Sequence, residues 1–196
     1  MILSDRDIKK ELKRGRITIE PLFPNAIQPA SVDLHLGPHF LVFKTDRHTC
    51  IDPKEPLEHM MEEVTIDMDK QFIIHPGQFA LGMAYEVTGV ADDLVARLEG
   101  KSSLGRIGLI IHATAGYLDP GNKLKMTLEL HNIANLPIKL YYKMPIAQMS
   151  FSPLSSKADS PYGSKKLGSK YYGNMKPKAS HYYKNFIQNN DWMKFG

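Results

Sequence analysis

From Ile17 onward, apolar and polar positions alternate over short runs punctuated by Pro, Gly and Asp. SVDLHLG, HFLVF, VTIDM, QFIIHPG, QFALGMAYEV, VARLEG, KMTLELHN, IKLYYK and IAQMSFSPL all carry this signature and are rich in β-branched and aromatic residues. A period of two marks strands with one buried face. About ten such runs with turns between them predict a mainly β fold: a sandwich, a jelly roll or a distorted barrel. SLGRIGL interrupts the pattern as a tight turn or a single helical turn. The N-terminus differs. Ser4–Arg14 predicts a short helix, with Ser4 as N-cap, Asp5 and Asp7 at its positive end and Gly15 at its stop. Ile8 and Leu12, four apart, are expected to face the core together.

The alternation ends near Leu154. Residues 1–154 therefore read as one β domain, and residues 155–196 as an appendage rich in Ser, Lys, Gly and Tyr. That appendage cannot bury a core alone. It is either a disordered tail or an arm that closes over a polyanionic ligand. The aromatic pairs Tyr171–Tyr172 and Tyr182–Tyr183 favour the arm.

Composition narrows the picture only a little. A chain of 196 residues suffices for one domain with a real core. The net charge of +4 is mild and weighted toward the C-terminus, without the concentrated stripe of a nucleic-acid footprint. Cys50 is the single cysteine, so an internal disulfide and a Cys-rich metal site are both excluded. The N-terminus lacks the apolar core of a signal peptide, and no run approaches the ~20 apolar residues of a membrane span. A cytoplasmic protein bound to neither membrane nor nucleic acid is expected.

The residues with chemical potential concentrate between Glu99 and Leu130. Lys101, Ser102, Ser103 and Arg106, bracketed by Gly100 and Gly105, combine a cation with hydroxyls, as in a phosphate nest or in a plain solvated turn. The spacing is not that of a P-loop. Asp119, in YLDPG, is a turn former before anything else. In KMTLELHN, Met126, Leu128 and Leu130 share one face, and Thr127, Glu129 and His131 the other. Glu129 either points to water or, if its face lines a pocket, is placed for proton transfer. His112 and His131 have no metal-ligand spacing. Asp33 and His35 fit an ordinary half-exposed strand.

IQPASVDLHLG, EGKSSLGRIGLIIHATAGYLDPG, TLELHN, PIAQMSF and PYGSKKLGSKYYGN together resemble the dCTP deaminase family, in the same order and over nearly the whole chain. The resemblance implies a dUTPase-like distorted β-barrel or jelly roll with a short N-terminal helix and a C-terminal arm. It implies a homotrimer with active sites between subunits, dCTP as substrate, dTTP as a feedback inhibitor, and Mg²⁺ held mainly by the triphosphate. It implies deamination without zinc, and Cys50 alone cannot supply the PCxxC arrangement of the zinc deaminases.

Residue by residue, Glu129 matches the general acid/base, while Ser102, Arg106 and the Ala115 carbonyl match groups that position the attacking water. Lys101, Ser102, Ser103, Leu104, Gly105 and Arg106 match the phosphate loop, and Asp119 the residue near the deoxyribose 3′-hydroxyl. Thr127, Leu128 and Glu129 match the base-reading edge, and Gln148, Tyr162, Lys170 and Asn174 complete the pocket. Gly116 and Tyr117 match the pair found in members that go on to hydrolyse dUTP, with Asp119 activating the second water. The implied product is dUMP for thymidylate synthesis. A deaminase that releases dUTP is the alternative, and a non-catalytic nucleotide-binding regulator a more distant one. The chain departs from the family pattern at Asn122–Lys125, at Asn174 where Gln is usual, and at Tyr117 where Phe is common.

Overall fold

The computed structural model describes residues 1–46, 48–114 and 116–188. Its body is built from short antiparallel strands, in keeping with the period-two pattern. One five-stranded sheet runs Leu109–Ile110, Thr127–Asn132, Phe79–Met83, His39–Phe43, Met61–Thr65. A second runs Tyr117–Leu118, Leu94–Gly100, Pro145–Pro153, Ser31–His35, Ile27–Gln28. Alternate residues of both sheets enter one core, which contains Val32, Leu34, Ala96, Leu98, Met149 and Phe151 from one, and Phe40, Ala80, Leu128 and Leu130 from the other. A slip of one residue in Thr127–Asn132 would drive Thr127, Glu129 and His131 into that core, so the burial of Leu128 and Leu130 sets the register.

Where SLGRIGL interrupts the alternation, a single helical turn spans Ser102–Gly105 and ends before Arg106. The run Asn122–Lys125, the departure from the family pattern, is absorbed as a strand. Lys123–Leu124 pairs with Val87–Val90, which also pairs with Ile17–Glu20. Leu124 is buried and its carbonyl accepts a hydrogen bond from the Thr88 hydroxyl at 3.1 Å.

The N-terminal helix spans Asp5–Lys13, with the Ser4 side chain accepting from the Asp7 amide. Ile8 is fully buried, but Leu12 is only partly so. Glu11 is buried instead, paired with Arg14 at 3.2 Å and Arg16 at 2.9 Å. Arg16 also holds Asp93 at 2.7 Å, and this guanidinium keeps the Asp93 carboxyl below the usual carboxylate range. The helix is therefore fastened to the body by charge as well as by Ile8. No helix among the described residues is long and apolar enough to cross a membrane.

Beyond Pro153 the chain returns to the body. Ala179 is buried against Leu57, Met60 and Met61 in a small second core. Asn132, at the end of its strand, is fully buried. Its amide donates to the carbonyls of Ile74 and Leu136, each at 2.9 Å, and accepts from the Ala134 amide at 2.9 Å. Asn132→Ala strands these backbone groups, and we expect a loss of about 2–4 kcal/mol, read as a lower urea midpoint with an unchanged slope.

Candidate active site

Glu129 faces away from the core and is half-buried. The neighbouring strand Leu109–Ile110 pairs only with His131 and Asn132, so beside Glu129 the sheet gives way to the loop that follows Ile111. Glu129 fastens this loop. Its amide donates to the Ile111 carbonyl at 3.0 Å, and its Oε2 accepts from the amides of Ala113 at 2.7 Å and Thr114 at 2.9 Å. One carboxylate oxygen is thus held by backbone donors that fix the orientation of the group.

Glu129 lines a cavity of about 550 Å³ together with Thr127, Asp119, Tyr117, Tyr162 and Tyr171. Phe43, Phe79, Leu81 and Met126 supply apolar wall. Asp119 is the turn former that its Asp-Pro-Gly setting predicts: its carbonyl accepts from the Asn122 amide at 3.1 Å, and Gly121 takes φ +79°. A Cβ on Gly121 would meet Pro161 at 2.7 Å, so this glycine also lets the arm pack against the turn. The Tyr162 amide donates to the Pro120 carbonyl at 2.9 Å, which brings the arm to the turn.

A second cavity of about 450 Å³ lies on the other side of Asp119. Tyr162 and Tyr171 line it too, whereas Lys170 lines this cavity and not the first. Burial raises the Asp119 carboxyl above its ordinary range. The Tyr162 phenol is raised as well, chiefly by burial and further by the Asp119 charge.

The other sequence-predicted residues lie elsewhere. Ser102, Ser103, Gly105 and Arg106 are exposed on their helical turn, and Leu104 packs partly into the core. The amides of Ser102 and Ser103, in the first turn, are those that a helix leaves without an internal acceptor. Lys101 is ion-paired with Asp33 at 2.7 Å, so the strand residue that composition left unremarkable neutralises the loop cation. Gln148 neighbours this group, its amide reaching the Gly100 carbonyl and the Ser31 hydroxyl, both at 3.4 Å. Neither Gln148 nor residues 101–106 line the Glu129 cavity. Leu128 is fully buried in the core, which leaves only its backbone for a ligand. Lys170 contacts Asn185, and buried Asn174 donates to the Lys176 carbonyl at 2.6 Å. Ala115 lies outside the described residues.

Gly116 accepts from the Leu98 amide at 2.7 Å, and a Cβ there would come within 3.0 Å of the Leu98 carbonyl and 3.6 Å of the His112 ring. Tyr117 lies under the Arg97 guanidinium, whose carbon is 4.6 Å from the ring centroid. Sequence reading missed a buried pair. Glu86, 1% exposed, receives the His35 amide at 3.0 Å and lies 2.6 Å from the His35 ring. No local pattern signals this contact, because the partners are 51 positions apart.

Comparison with known proteins adds the following. The profile of the dCTP deaminase-like family matches residues 2–154. Over 186 residues the chain is 50% identical to "dCTP deaminase, dUMP-forming" of Nocardioides sp., covering 95% of this chain and 97% of the relative. Over 188 residues it is 49% identical to the protein of the same name in Rhodococcus opacus, covering 96% of this chain and all of the relative. The crystal structure of 2′-deoxycytidine 5′-triphosphate deaminase from Agrobacterium tumefaciens superposes with a TM-score of 0.59 at 22% identity, which speaks for the fold. The match covers 76% of this chain and 46% of that longer one.

The raised Asp119 carboxyl has a thermodynamic consequence. A carboxyl whose folded pKa exceeds its unfolded value near ~3.9 favours the native state least when ionised. The penalty is absent at pH below the unfolded value and grows as pH rises through the folded one. Asp119→Asn is therefore expected to melt higher than the parent at pH 7. The difference should shrink toward pH 4, which a series of thermal melts across pH would measure.

Proposed function

The chain belongs to the dCTP deaminase-like family, and we propose that it hydrolyses dCTP twice in succession, giving dUMP, ammonia and pyrophosphate. The first reaction replaces the amino group at C4 of cytosine with oxygen from water. The second splits the bond between the α- and β-phosphates. The observation that carries the deamination step is the state of Glu129: one oxygen is fixed by the Ala113 and Thr114 amides, and the side chain lines a cavity beside Thr127. A carboxylate so oriented takes one proton from the attacking water and passes it to the ring nitrogen N3, then takes the second from the resulting C4 hydroxyl and passes it to the leaving amino group, which departs as ammonia. Thr127 and the Leu128 backbone read the base edge.

Asp119 closes the same cavity and carries a carboxyl pushed up by burial. It holds the deoxyribose 3′-hydroxyl and activates the second water, on the chain segment that Gly116 lets pack closely against the Leu98 carbonyl. Ser102, Ser103, Gly105 and Arg106 hold phosphate, with Ser102, Arg106 and the Ala115 carbonyl positioning the first water. Because residues 101–106 and Gln148 do not line the Glu129 cavity, a site that uses both sets is completed between copies. A homotrimer with three shared sites is the assembly we propose, with dTTP competing for the same nucleotide site.

Among the described residues no three His, Cys, Asp or Glu side chains are grouped to hold a metal. That arrangement suits Mg²⁺ that arrives on the triphosphate, where it offsets phosphate charge. The zinc-independent reading rests on Cys50 being the only cysteine, together with a carboxylate at Glu129 whose Oε2 is held by backbone amides.

Incubation with dCTP and Mg²⁺ should yield dUMP, pyrophosphate and ammonia in equal amounts, with little dUTP. dUTP rising in step with ammonia would instead make the enzyme a deaminase alone. Ammonia release should survive treatment with a zinc chelator. Glu129→Gln is expected to lose at least about a hundredfold in ammonia release; turnover at the parental rate would remove Glu129 from the chemistry. Gly116→Ala places a methyl against the Leu98 carbonyl and should divert product toward dUTP while deamination continues, as chromatography of the nucleotides would record.

A further inference from the structure

The segment from Asn174 to His181 is strapped across the Glu129 cavity. At one end the Lys125 amide donates to the Asn174 carbonyl at 2.9 Å. At the other, the His181 amide donates to the Tyr171 hydroxyl at 2.8 Å, and its ring stacks on Tyr171 at 5.3 Å between centroids. His181 also lies 3.4 Å from the Glu58 carboxylate. Between these anchors the chain alternates. Pro177 and Ala179 are buried, while Lys176, Lys178 and Ser180 are exposed. Lys178 and Ser180 line the cavity, and Lys176 does not.

Lys178 is the only cation among the described residues that line this cavity. No described side chain forms an ion pair or hydrogen bond with it. It does not neutralise Asp119, whose carboxyl is raised by burial and lowered by no neighbouring cation. Lys101, the cation that the sequence offers most plainly for phosphate, is already paired with Asp33. Arg106 does not line this cavity, and a triphosphate brings several negative charges into a space that also holds two carboxylates, so it needs a positive group within that space that is not already engaged.

We propose that Lys178 is a phosphate-binding residue of the cavity, holding the terminal phosphates of the nucleotide before cleavage and the pyrophosphate after it. The proposal rests on the nucleotide reading of the site and adds to it a residue outside the motifs that carry the family resemblance. The buried neighbours Pro177 and Ala179 fix where the Lys178 side chain leaves the backbone, so the strap presents it to the cavity.

The test compares Lys178→Ala, Lys178→Arg and Lys176→Ala with the parent, all as full chains with matched thermal midpoints. Calorimetry with inorganic pyrophosphate and Mg²⁺ reads the anion directly, and steady-state kinetics with dCTP reads the substrate. For Lys178→Ala we expect pyrophosphate affinity to fall and the KM for dCTP to rise by about tenfold, equal to ~1.4 kcal/mol, with kcat changed far less. Lys178→Arg should recover most of both, and Lys176→Ala, which removes the same charge nearby, neither. Equal pyrophosphate affinity in parent and Lys178→Ala, or equal losses in Lys176→Ala and Lys178→Ala, would overturn the assignment. A parent that binds pyrophosphate through Lys178 but releases no ammonia from dCTP would instead overturn the deaminase reading and leave the anion site standing.

Discussion

The architecture around the site depends on how Glu129 is used by the backbone. A single residue on a central strand donates its amide to Ile111 and accepts the amides of Ala113 and Thr114. Those loop amides lie where the sheet has lost its neighbouring strand, so without a side-chain acceptor they would turn to water or disorder the loop. The group proposed to move protons is therefore also the group that sets the path of the chain toward Gly116. Register follows from the same strand. Leu128 and Leu130 are fully buried, and the period of two leaves Glu129 one orientation.

Much of this was legible in the sequence, because it is local. Alternation identified Thr127–Asn132 and placed Glu129 opposite the leucines. Ser4, Asp5 and Gly15 marked the helix ends, and Asp-Pro-Gly marked the turn. The contacts that escaped the reading are those between distant positions. Glu11 lies on a helix whose apolar spacing pointed to Leu12, yet it is the buried member of an ion-pair group formed with Arg14 and Arg16 that continues to Asp93. Lys101 meets Asp33 across 68 positions (101 minus 33), and Glu86 meets His35 across 51. Charge pairing at such separation has no periodic signature. The arm is the largest case. Its composition permitted either disorder or docking, and the outcome depends on a small pocket of Leu57, Met60 and Met61 that accepts Ala179.

The division of the site residues is as informative as their grouping. Asp119, Thr127, Glu129 and Tyr162 share one cavity, while the Ser102–Gly105 turn stands exposed beside the Lys101–Asp33 pair. Motif order along the chain gave no hint of this separation, because the two groups are close in sequence. Proximity in sequence guarantees proximity in space only when the intervening chain is short or folds back directly. Here the chain between Arg106 and Asp119 first pairs along the Thr127–Asn132 strand and then crosses to pair with Leu94–Gly100. The assembly proposed above is what would bring together in space the two groups that the fold separates within one chain.

Asp119, Tyr162 and Tyr171 border both cavities at once, and the Tyr171 amide donates to the Tyr162 hydroxyl at 3.3 Å. They form a party wall between two rooms, one room holding Thr127 and Glu129 and the other opening toward Lys170. The wall is only a few side chains thick, and one of them sits on a turn that proline and glycine make rigid. Trimming it would merge the rooms; thickening it would shorten the longest molecule that either can house. The size of each cavity is thus set less by the residues it has to itself than by the partition it shares with the other.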